Sequence, residues 1–164
     1  MGGAHSDDAE SVRETRNEGS AGSGRFSRQR SEPVVSALFL AEAESAPRAR
    51  RALERLEPLM SWPTYADLRL LVSELVANSV EHSGASPDGL IGLEVHVRDE
   101  RLLVEVSDPG PGFDLPCRPT ERPWEAEYGR GLLIVDSLAQ SWGVAHGERS
   151  TVWFELAVPG LMRV

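Results

Sequence analysis

The chain has 164 residues, 40% of them hydrophobic and 26% charged, with a formal net charge of −9 at pH 7. That length suits one domain with a core of its own, and the acid excess disfavours a nucleic-acid surface, which needs clustered cations. The single cysteine, Cys117, excludes an intrachain disulfide and a multi-cysteine zinc site, and the seventeen basic residues are all Arg, which removes lysine-dependent phosphate loops and Schiff-base chemistry.

Residues 1–32 are rich in Gly, Ser, Arg and Glu and almost bare of large apolar side chains. Such a segment buries too little surface to offset its ordering entropy, so it reads as a disordered tail ahead of a domain at 33–164. The chain's beginning lacks a basic stretch followed by an apolar one, and no apolar run is long enough to span a bilayer, so the expectation is a cytoplasmic protein. Val34 to Ala41 is β-branched and apolar, a strand. Pro47 to Leu59 carries Ala49, Ala52, Leu53, Leu56 and Leu59 at helical spacing. Thr64 is the expected N-cap of a second helix over Tyr65 to His82, with Leu68, Leu71, Val72, Leu75 and Val76 as its buried stripe.

Residues 83–89 form a loop by their Gly, Ser, Pro and Asp content. Leu90 to Arg98 and Arg101 to Ser107 alternate as two strands of a hairpin turning at Asp99-Glu100. Three prolines, Pro116, Pro119 and Pro123, mark residues 114–128 as a long loop. Gly131 to Ala139 reads as a short helix, and Trp142 to Ala145 with Thr151 to Val158 as a closing hairpin around Gly147. The order predicts a two-layer α/β sandwich, with helices on one face of a mixed, mostly antiparallel sheet.

Chemistry concentrates in three segments. In Ser73-Glu-Leu-Val-Ala-Asn-Ser-Val-Glu-His82, Glu74 and Asn78 stand one helical turn apart, opposite the apolar stripe. An Asn oxygen suits hydrated Mg²⁺, and a Glu one turn earlier suits a general base for phosphoryl transfer. Alone, the pair fits an ordinary solvated helix face. In Asp108-Pro-Gly-Pro-Gly-Phe113 a carboxylate ends a strand, placed to accept from an exocyclic amine, while Gly110 and Gly112 let the backbone pass close to a base. Gly129-Arg-Gly-Leu reads as the opening of a helix, whose free amides suit phosphate. Arg118, Arg122 and Arg130 are candidate γ-phosphate partners that spacing does not separate.

These three segments, in this order and spacing, resemble the N, G1 and G2 boxes of the GHKL (Bergerat-fold) ATPase superfamily. The wording Glu-Leu-Val-Ala-Asn-Ser-Val-Glu-His is most similar to anti-sigma-factor serine/threonine kinases of the SpoIIAB/RsbW type, over residues 34–160. The resemblance implies ATP and Mg²⁺ as cofactors. It implies Glu74 as catalytic base, Asn78 as Mg²⁺ ligand, and Asp108, Gly110 and Gly112 around adenine. Gly129, Arg130 and Gly131 would stand at the phosphates, and Thr151 would support the adenine pocket through water. It also implies a sigma factor and a STAS-type antagonist as partners, and a homodimer. A non-catalytic nucleotide-binding switch is the alternative. The family's usual Ala after the box asparagine is Ser79 here, a change expected to be tolerated. His82 is read as capping or packing at its helix end, not as a phosphoacceptor.

Overall fold

The computed structural model describes residues 32–82, 89–110 and 124–161. The expected tail at 1–32 thus lies outside them but for Glu32, as do the loop at 83–88 and residues 111–123, Cys117, Arg118 and Arg122 included.

Five strands, β1 (Val35–Leu40), β2 (Leu90–Arg98), β3 (Arg101–Asp108), β4 (Ser141–His146) and β5 (Ser150–Ala157), form one sheet in the order β1-β2-β3-β5-β4. All four pairings are antiparallel, which narrows the expected mixed sheet. The β2–β3 turn falls on Asp99 and Glu100, both at positive φ (46° and 59°). That backbone twists with the flanking strands and holds the hairpin to two residues. Glu100 also holds the segment that follows β5, its carbonyl accepting from Val158 N at 2.7 Å and its Oε1 from Gly160 N at 3.1 Å.

The helices α1 (Ser45–Ala52), α2 (Trp62–His82) and α3 (Trp124–Leu138) lie on one side of the sheet. Strand alternation sends Ile91, Leu93, Val95, Val104, Val106, Val152 and Phe154 toward them. The expected stripe of α2 is buried there, Leu68, Leu71 and Val72 each at 0% exposure.

Three element boundaries differ from the sequence reading. The helix expected from Pro47 starts at Ser45, whose buried hydroxyl donates to the Leu40 carbonyl and accepts from Glu42 N, and it ends at Ala52. Glu54–Leu59 continues as a 3-10 turn with Pro58 inside it. Proline cannot donate to an α-helical ladder, while the tighter turn still brings Leu56 into the core.

Thr64 is not the cap of α2. The helix begins at Trp62, the Ser61 carbonyl accepts from Tyr65 N at 3.0 Å, and the two hydroxyls of Ser61 and Thr64 stand 2.9 Å apart. Pro63 in the first turn removes only a donor that would have had no helical partner. Finally, α3 starts at Trp124, seven residues before Gly131. The prolines that marked a loop end at Pro123, and the helix runs on from there through Gly129 and Gly131 despite their weak helix propensity.

Candidate functional site

Helix α2 carries Glu74 and Asn78 on its half-buried flank, against α3. The contact with α3 is made at Gly131, where an added Cβ would lie 2.8 Å from Asn78 Nδ2, 3.1 Å from Glu74 Oε2 and 3.2 Å from Asn78 Oδ1. Glycine at 131 therefore makes room for both polar heads. Gly129 and Gly131 do not open a helix, because both sit inside α3. For Gly131 the structure replaces the expected free amide with a different use of glycine, close approach of a backbone to the two candidate side chains Glu74 and Asn78. Gly129 and Arg130 are described as helical backbone alone, and Gly112 lies outside the described residues.

Asp108 ends β3 on the helix-facing side, 8% exposed. Its Oδ2 accepts from Ser79 Oγ at 3.0 Å, and its Oδ1 from Gly110 N at 2.8 Å. Two donors on the two oxygens fix the carboxylate plane, and each oxygen keeps a lone pair for a further donor. Ser79, 6% exposed, continues the α2 stripe four residues beyond Leu75, so its hydroxyl points inward toward the sheet. The residue read as a tolerated departure is thus the one that joins α2 to Asp108. A polar residue on an otherwise apolar stripe needs a buried partner, and that signal was present in the sequence.

Thr151 falls elsewhere. It pairs with Ser107 and belongs to the sheet face turned away from the helices, whereas Asp108 pairs with Ser150. Ser150 is 5% exposed and lies on the same face as Val152 and Phe154. Strand side chains alternate with a period of two, so a shift of one residue moves a hydroxyl to the opposite face. By register the hydroxyl beside Asp108 is that of Ser150.

The site therefore consists of a carboxylate and a carboxamide on α2, a fixed carboxylate at the end of β3, and a helix backbone closing on the first two. No lysine is available, so phosphate charge would fall to Arg, backbone amides and metal. The oxygen-bearing heads of Glu74 and Asn78, with space at Gly131 instead of a methyl group, fit a hard, hydrated cation.

The histidine kinase-like ATPase domain family matches this chain over residues 39–156. The chain belongs to that family. It is 39% identical over 88 residues to the serine-protein kinase RsbW of Listeria innocua, covering 48% of this chain and 56% of that protein. It is 25% identical over 112 residues to an anti-sigma F factor of Clostridium kluyveri, covering 63% of this chain and 78% of the relative. The chain thus spans little more than half the length of the RsbW relative. Among solved structures, a blue-light activated histidine kinase of Erythrobacter litoralis EL346 is 25% identical, with a TM-score of 0.46 over 60% of this chain and 32% of that one. No helix among the described residues is long and apolar enough to cross a membrane.

Proposed function

We propose that this protein binds ATP with Mg²⁺ between α2, α3 and the end of β3, and acts as a cytoplasmic, homodimeric serine/threonine protein kinase and anti-sigma factor. Its substrate would be a serine on a STAS-type antagonist, and its other partner a sigma factor. The observation that carries the reading is the approach of Gly131 to Glu74 and Asn78, with Asp108 held between Ser79 and Gly110 on the same side of the sheet. The RsbW and anti-sigma F relatives support the same class.

In this reading Asp108 accepts the adenine amine, its orientation set by its two donors. Asn78 offers its side-chain oxygen to the metal, which when bound neutralises phosphate charge. Glu74 takes the proton of the substrate hydroxyl as that oxygen bonds to the γ-phosphorus and the bond to the β-phosphate oxygen breaks, releasing ADP. Arg118, Arg122 and Arg130 are the candidates to meet the transferring group. Domain boundaries at 33–164, with a tail before them, complete the proposal.

The test is transfer of label from [γ-³²P]ATP to a STAS-domain antagonist, with Glu74→Gln beside wild type and ATP binding followed by calorimetry. Transfer by wild type and its loss by about 100-fold or more in the variant, with binding retained, is the expected result. Binding without transfer in wild type would make the protein a nucleotide-dependent switch instead. Absence of binding would remove the site assignment altogether.

A further inference from the structure

Three side chains meet on the sheet face turned away from the helices. Glu94 and His96 stand two residues apart on β2 and share that face, and Glu105 is paired with Glu94 on β3. His96 and Glu105 are buried, at 5% and 8% exposure, while the Glu94 side chain is 43% exposed. His96 Nε2 lies 3.5 Å from Glu94 Oε2 and 3.4 Å from Glu105 Oε2. One ligand atom from each residue falls within 4.8 Å of the other two.

The separations discriminate between occupants. A charge-assisted N–H···O bond closes to about 2.7–2.9 Å, and both contacts are longer by half an ångström or more. Ligands around tetrahedral Zn²⁺, at about 2.0–2.1 Å from the ion, stand about 3.3–3.4 Å from one another. The two observed edges match that spacing. Octahedral Mg²⁺ with arms of about 2.0–2.1 Å brings neighbouring ligands to about 3.0 Å, and both Mg²⁺ and Ca²⁺ favour oxygen ligands alone. An imidazole beside two carboxylates suits Zn²⁺ along with other divalent transition metals, and the tetrahedral spacing favours zinc among them. The exposed side of Glu94 leaves an entry path, and a fourth position for water.

The geometry points to a divalent transition-metal site of the zinc type, formed by Glu94, His96 and Glu105. It lies across the sheet from Glu74 and Asn78, and so is separate from the nucleotide site and independent of that reading. Metal there cross-links β2 to β3 and stabilises the fold.

The test is calorimetric titration of Zn²⁺ into the full chain, without nucleotide and in excess Mg²⁺. The expected result is one equivalent bound, with Co²⁺ at the same site showing the visible absorption of a tetrahedral centre. Glu105→Gln and His96→Gln each weaken binding at least tenfold, and His146→Gln, altering an exposed histidine on β4, leaves it unchanged. Glu94→Gln alters a half-exposed side chain, so it tests the site even where the two buried variants fail to fold. Failure of wild type to bind Zn²⁺ would overturn the site. So would equal affinity in wild type and Glu94→Gln, which would locate the metal elsewhere.

Discussion

A methyl group at Gly131 would have to displace the far ends of Asn78 and Glu74, not backbone, so the fold itself accommodates it. Alanine also favours a helix over glycine by about 0.8–1.0 kcal/mol. Gly131→Ala is therefore expected to keep or raise thermal stability while weakening Mg²⁺-dependent ATP binding at least tenfold, because a Cβ 2.8 Å from Asn78 Nδ2 must push aside the heads proposed to meet metal and substrate. Calorimetry beside a melting curve separates the two effects, and a parallel loss of both would sink the argument. Ser79→Ala acts differently. It removes a donor from a buried carboxylate that, among the described residues, then keeps the Gly110 amide alone, at a cost of about 1–3 kcal/mol in stability. The loosened carboxylate should also bind adenine less tightly, and urea denaturation with nucleotide titration measures both. The contrast shows where the sequence was legible. Glu74, Asn78 and Asp108 stand out as candidates by residue type, whereas the link from Ser79 to Asp108 depends on a partner 29 positions away.

At the scale of elements, alternation and helical spacing located all five strands and the long helix, because burial on one face imposes both periods. What they did not locate are the places where a local signal competes with tertiary packing. The end of the expected first helix is a 3-10 turn with Pro58 inside it, and Pro63 enters the first turn of α2. The β5 register, which decides between Ser150 and Thr151, is fixed by pairing with β3 and not by either residue. The start of α2 also carries a pH signature. Tyr65 is 1% exposed, its ring 6.0 Å from that of Trp62, with the Arg69 guanidinium 5.6 Å from the ring centre. Burial raises the phenol above its ordinary value of 10.0, with Arg69 opposing and Glu57 and Glu54 adding to the rise. A raised folded-state pKa means the contribution is complete below the unfolded value and is lost as pH rises through the folded one. Stability should therefore fall above about pH 10, and Tyr65→Phe should flatten that fall. Denaturant midpoints from pH 8 to 11 decide it, and identical slopes would refute the assignment.

For the whole molecule, the site is bounded by elements distant in sequence, α2, β3 and α3, so occupancy must report on the fold as a unit. A ligand that binds only the native state stabilises it by about 2.7 kcal/mol when present at one hundred times its Kd. For a chain of this size that corresponds to roughly 5–10 °C in Tm. ATP with Mg²⁺ should produce such a rise, and Asp108→Asn should abolish it. Chelating Mg²⁺ should remove the portion that depends on Asn78. The necessary contrast is a core substitution away from the site. Ile91, fully buried on β2 against the helices, loses one methyl group in Ile91→Val, at about 0.5–1.5 kcal/mol. That variant should melt lower with and without nucleotide, keeping the same increment between the two curves. If Ile91→Val lost the increment as well, the rise would reflect a general tightening of the domain. If Asp108→Asn kept it, ATP would be bound somewhere other than between α2, β3 and α3.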